Sequence, residues 1–228
     1  RSRRTLKIFV FAGIVLVGLA LRAERAWLEP LWVDEAESCI NALTVLQHGV
    51  PVSHYLGIPI YENTMLMPWP DHPEYEFRDL SYSGRGLAIY HGWLPFYLMA
   101  GSMAAGGIDP DIPNDRSSLQ RGIDELRWRT AIPRIPALLF GILTLVLMFL
   151  AGREMFGEAT GWAALVGSSL AGNMIWFAAQ ARYYSYTLAL SAAAVLTIHR
   201  VVRRGRWADF IWMAVAFSLL FHTHLLSF

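Results

Sequence analysis

Apolar residues along this chain gather in long runs instead of alternating with polar ones. Five runs, 6–21, 135–152, 159–179, 183–198 and 208–228, approach the ~20 residues that a helix needs to cross a bilayer. Lipid offers no water to backbone N–H and C=O groups, so such runs are predicted to be helices. Lys7, Arg22 and Arg200 at their ends extend the shorter ones by reaching toward the headgroups. A sixth stretch, 91–106, is apolar but short and is interrupted by Gly92, Pro95, Gly101 and Gly106. The predicted fold class is all-α: a polytopic transmembrane protein of about five spans, with one or two juxtamembrane helices on its outer side.

Charge sets the orientation. Arg1, Arg3, Arg4 and Lys7 precede the first run, and Arg200, Arg203, Arg204 and Arg206 separate the fourth from the fifth. The positive-inside bias places both clusters in the cytoplasm, so an even number of crossings separates them. The runs 6–21, 135–152, 159–179 and 183–198 supply four. A crossing by 91–106 would break the parity, so that stretch is expected to lie in the outer interface. Residues 22–134 then form one outward-facing segment holding fifteen of the eighteen acids. Loops this long in compact proteins are more often functional than mere connectors.

Composition sharpens this. Of 228 residues 55% are hydrophobic and 16% charged, against about a quarter charged in soluble domains. The net charge of +1 says nothing about nucleic acid, but with no basic stripe and no nucleic-acid motif none is expected as a partner. Cys39 is the single cysteine, so no internal disulfide forms. The first run is followed by Arg22, Glu24 and Arg25 in place of a small-residue cleavage site, unlike a cleavable signal. The chain begins without methionine and stops inside an apolar run; residues 1–228 are expected to be the N-terminal part of one longer membrane domain.

Candidate chemistry begins at Trp32-Val33-Asp34-Glu35. Glu37, Ile40, Leu43 and Leu46 follow at helical spacing, and Gly49 and Pro51 close the segment, which predicts a helix with Asp34 as N-cap and Gly49 as its stop. Asp34 is then either a cap on a membrane-surface helix or, with Glu35, a base or metal site. The two readings are compatible, because a helix N-terminus favours the ionised carboxylate. Arg134 and Arg182 sit at the outer ends of later runs, Arg182 directly before Tyr183 and Tyr184. Each is either a headgroup anchor or a planar fork for a phosphate. His91 opens the ambiguous stretch. His222 and His224 end the fifth run, but their two-residue offset puts them on different helix faces, which disfavours a chelate. No glycine-rich phosphate loop, H-E-x-x-H or C-x-x-C is present.

Taken in order, Trp32-x-Asp34-Glu35, Tyr90-His91-Gly92-x-Leu94-Pro95-x-Tyr97, Arg134-Ile135-Pro136 and Ala181-Arg182-Tyr183-Tyr184 resemble the signatures of the GT-C glycosyltransferases. The nearest branch holds the protein O-mannosyltransferases and aminoarabinose transferases. Gly92 stands where that pattern has proline, and 56–83 looks like an insertion. The resemblance implies a polyprenyl-phosphate-linked sugar as donor, an acceptor hydroxyl on a glycan, lipid or protein, and a site facing outward from the inner membrane. It casts Asp34 as base and Glu35 as orienting group, with a divalent ion on the pair if one is used. Arg182, Tyr183, Arg134 and His91 would bind the lipid phosphate. The competing readings are a polytopic transporter or lipid-sugar flippase, and a non-catalytic scaffold.

Overall fold

A computed structural model describes residues 2–60, 83, 85–89, 92–111 and 123–224. The described chain is mostly helix: α1 (Ser2–Leu28), α2 (Val33–His48), α3 (Leu94–Ala105), α4 (Ile123–Ala131), α5 (Ile135–Phe156), α6 (Glu158–Leu170), α7 (Gly172–Ala178), α8 (Tyr184–Arg204) and α9 (Trp207–Phe221). A 3-10 turn (Ile132–Arg134) joins α4 to α5. One antiparallel hairpin, β1 (His54–Tyr55) with β2 (Ile58–Pro59), departs from the all-α expectation.

Three helical stretches, Arg3–Leu28, Arg127–Phe156 and Tyr184–Arg204, are long and apolar enough to cross a membrane; Leu94–Ala105 and Trp207–Phe221 are apolar but shorter. Length and composition therefore support three of the five expected spans. The run 159–179 is not one helix. α6 stops at Leu170, Ala171 is extended (φ −63°, ψ 115°), and α7 restarts at Gly172. Ser168, Ser169, Gly172 and Asn173 compete with the helical ladder or add backbone freedom, and hydropathy does not register this. The break strands carbonyls, and Arg22 of α1 takes them. Its Nη2 donates to Ser168 O at 2.9 Å, and its Nη1 to Ser169 O at 3.2 Å and Gly18 O at 2.8 Å. Arg22 is 1% exposed, so it closes a broken helix and does not reach for headgroups.

The bundle has two distinct ends. At one, Lys7 of α1 meets Glu158 at 2.5 Å, and Arg200 and Arg204 of α8 converge on Glu154 of α5. The N-terminal and the 200–206 basic clusters thus share an end. At the other end lie the close of α1, the starts of α2, α5 and α8, and the close of α9.

Packing follows residue size. On the α5–α6 contact a Cβ at Gly152 would stand 3.1 Å from Gly161 Cα, and one at Gly161 would stand 2.9 Å from Phe149 O. Small residues here let the backbones touch, as between helices in lipid. Phe11, Phe149 and Trp162 close the basic end edge-to-face, with centroids 5.0–6.3 Å apart. At the opposite end Cys39, Ala42 and Val45 of α2 pack on Phe96, Met99 and Met103 of α3, with Ile132 and Ala181 completing the cluster. α3, the helical part of the stretch 91–106, is thus a lateral partner of α2.

Candidate functional site

α2 starts two residues earlier than expected. Trp32 is its N-cap, and Asp34 falls inside the first turn. The residue that reaches back is Glu35, whose Oε2 accepts the Trp32 N–H at 3.4 Å. Gly49 ends the helix as expected, left-handed at φ 77°, with its N–H donating to Val45 O at 2.8 Å.

Adjacent in sequence, Asp34 and Glu35 point into different worlds. Glu35 is 1% exposed. Its Oε1 accepts Arg134 Nε at 2.9 Å and Ala181 N at 2.6 Å, and its Oε2 accepts Arg134 Nη2 at 2.7 Å. Arg134, also 1% exposed, gives its remaining N–H groups to the end of α1: Nη1 to Ala26 O (2.8 Å) and Glu29 O (2.6 Å), and Nη2 to Pro30 O (3.0 Å). A guanidinium carries five N–H donors, and all five are placed. The reason lies in α1: the helical partner of Ala26 O would be the N–H of residue 30, which is proline. Terminal carbonyls need donors from elsewhere. Glu35 and Arg134 therefore knit together α1, α2, α5 and the segment before α8. No donor of Arg134 is left for a phosphate and no oxygen of Glu35 for a metal; the structure redirects both from ligand to fastening.

Asp34 and Arg182 form the open part of the site. Arg182 Nη2 lies 3.6 Å from Asp34 Oδ2, a charge contact longer than a hydrogen bond. Nη1 donates to Asp34 O and to Ser38 Oγ, each at 3.0 Å. The arginine side chain is 5% exposed and that of Asp34 37%, so a rigidly held cation stands behind a carboxylate that solvent reaches. The Arg182 guanidinium also lies 5.4 Å over the Tyr183 ring. That ring stacks on His224 (4.1 Å, 27°) and meets Tyr184 at 4.5 Å. Trp32 and Trp176, 6.3 Å apart, flank the start of α2.

His91 lies outside the described residues. Its neighbour Gly92 is placed, and it explains the missing proline: a Cβ there would stand 2.1 Å from the His222 carbonyl, while Leu94 N–H donates to that carbonyl at 2.9 Å. The close of α9 occupies the space a side chain would need. Among the described residues no three of His, Cys, Asp and Glu gather as a metal site, and His222 and His224 face separate aromatic partners.

Sequence reasoning passed over three participants. Ser38 is four residues after Asp34, so the helical spacing already put it on Asp34's face. His224 was weighed only as a metal ligand, and Trp176 carried no signal. Beneath the site Cys39 is buried; burial first, then the Glu35 carboxylate, push its thiol pKa well up, against smaller opposing effects of Arg134 and Arg182.

Compared with family profiles, with curated proteins and with solved structures, the chain finds no match.

Proposed function

We propose that the chain is part of a multi-pass membrane glycosyltransferase, moving a sugar from a polyprenyl-phosphate donor to an acceptor hydroxyl with inversion at the anomeric carbon. The observation that carries this reading is the meeting of Asp34 and Arg182, 148 residues apart in sequence, at one end of the bundle. In the proposed topology α1, α5, α6 with α7, α8 and α9 each cross the inner membrane. The shared basic end faces the cytoplasm, and Asp34 and Arg182 lie at the outer surface.

The chemistry suits a base and a fixed cation. Asp34 takes the proton of the acceptor hydroxyl as that oxygen bonds to the anomeric carbon. The bond from that carbon to the phosphate oxygen breaks, its electron pair leaving with the lipid phosphate. The departing anion needs positive charge and no proton, and Arg182 supplies the charge from a preorganised position. In-line displacement places base and leaving group on opposite faces of the sugar, so the donor sugar parts Asp34 from Arg182 on binding. Tyr183 and His224 line the approach to Arg182, and a divalent ion, where one is used, has Asp34 as its accessible carboxylate. Glycan, lipid and protein hydroxyls all satisfy the acceptor role.

Transport or flipping calls for charges along a path through the bundle. Arg22, a charge buried between α1 and the α6–α7 break, is occupied by three carbonyls, which favours chemistry at the surface over passage. The test uses the full-length protein with labelled polyprenyl-phosphate-sugar. Asp34→Asn is expected to abolish transfer while insertion and thermal stability persist. Undiminished turnover in that variant removes the base and the reading with it.

A further inference from the structure

A cavity lies between α5, α8 and α9, away from Asp34, and its lining reaches Arg200 and Asp209 at the basic end. It encloses about 280 Å³. Its walls are Leu147, Leu190, Leu196, Val215 and Leu219, with Thr197 as a minor polar patch. Two charged residues stand at its mouth, Arg200 and Asp209. Arg200 is engaged by Glu154. Asp209 is not comparably served: the residue is 9% exposed, and its Oδ2 is buried without a hydrogen-bond partner. Its place in the first turn of α9 accounts for a favourable helix dipole, but a buried carboxylate oxygen still requires a donor.

The surroundings indicate which donor. Arg203, Arg204 and Arg206 lie in and beside the turn joining α8 to α9, all exposed. Among the described residues the side chains of Arg203 and Arg206 make no hydrogen bond or ion pair, the Arg206 carbonyl accepts the Asp209 N–H at 2.9 Å, and Arg204 has Glu154. Trp207 and Trp212, 84% and 63% exposed, stand beside them, which is the placement of side chains at a membrane–water boundary. An apolar slot whose lining includes Arg200 and Asp209, with the exposed Arg203 and Arg206 close by in sequence, matches the chain and phosphate of a phospholipid. The orphan carboxylate adds a requirement that a phosphate alone does not meet.

We propose that the α5–α8–α9 cavity is a binding site for a bilayer phospholipid whose headgroup carries a hydrogen-bond donor. One acyl chain fills the slot between Leu147, Leu190 and Val215. The phosphate lies against Arg203 and Arg206, and the headgroup amine or hydroxyl donates to Asp209 Oδ2. The inference uses the membrane placement above but not the transferase reading, and its test needs no sugar donor.

Full-length protein is stripped of lipid in detergent. It is then titrated with phosphatidylethanolamine, phosphatidylglycerol and phosphatidylcholine of matched chains, with bound lipid read by native mass spectrometry. The first two, with amine and hydroxyl donors, are expected to bind on the order of tenfold tighter than phosphatidylcholine, which has none, as one hydrogen bond to a charged group implies. Asp209→Ala is expected to erase that preference. Asp209→Asn, which keeps the shape but drops the charge, is expected to weaken the amine lipid more than the hydroxyl lipid. Arg203→Gln with Arg206→Gln is expected to weaken all three. Equal binding of the three lipids by the parent protein, or a preference that survives Asp209→Ala, overturns the proposal.

Discussion

If Glu35 and Arg134 fasten the fold, then replacing either must cost stability before it touches chemistry. Arg134→Lys is the sharpest probe because it keeps the positive charge. An ammonium has three donors where the guanidinium has five, so at least two of the contacts to Glu35, Ala26, Glu29 and Pro30 are lost. Hydrogen bonds involving a charged group are worth about 1.5–3 kcal/mol net each, which gives a loss of about 3–6 kcal/mol. Glu35→Gln leaves the arginine charge buried without its counter-ion, which costs about 3–5 kcal/mol, or two to four decades in the folding equilibrium at about 1.4 kcal/mol per decade. The two losses are expected to be far from additive, because each variant breaks the same contact. The assay is reversible unfolding of the full-length protein in mixed micelles, followed by circular dichroism for the parent, each single variant and the double. A different outcome refutes the reasoning. Arg134→Lys staying within about 0.5 kcal/mol of the parent while binding the polyprenyl-phosphate donor more weakly would return Arg134 to the phosphate.

Two further perturbations separate the fold from the site. Gly92→Ala sets a methyl 2.1 Å from the His222 carbonyl, so it is expected to push the end of α9 away and cost about 1–3 kcal/mol; an unchanged thermal midpoint contradicts that packing. Cys39 is held as the thiol by burial and by Glu35, so maleimide labelling above pH ~8.5, where free thiols ionise, is expected to be much slower in the native than in the denatured protein. The sign follows: the unfolded thiol ionises first, so this contribution to stability is present below pH ~8.5 and fades as pH rises above it. Equal labelling rates in the two states would contradict the burial.

Hydropathy alone marked where α1, α5, α8 and α9 run, because a long apolar run has one use of its backbone in lipid and each residue carries that information locally. Gly49 announced the end of α2 for an equally local reason: a left-handed turn suits a residue without a side chain. The structure brings the N-terminal and 200–206 basic clusters to one end of the bundle, through Glu158 and Glu154. Tertiary structure decided what sequence spacing cannot encode. The break at Ala171 became tolerable only because Arg22 on another helix caps the freed carbonyls. Of three arginines that look alike in sequence, Arg22 and Arg134 close helix ends and Arg182 stands behind Asp34. Glu35, one residue from Asp34, is turned inward because a helix rotates neighbours by about 100° and a buried guanidinium waits on that face. A charged side chain's task is set by which carbonyls and carboxylates the fold brings within about 3 Å of it, and for each of these arginines at least one such partner comes from more than a hundred residues away.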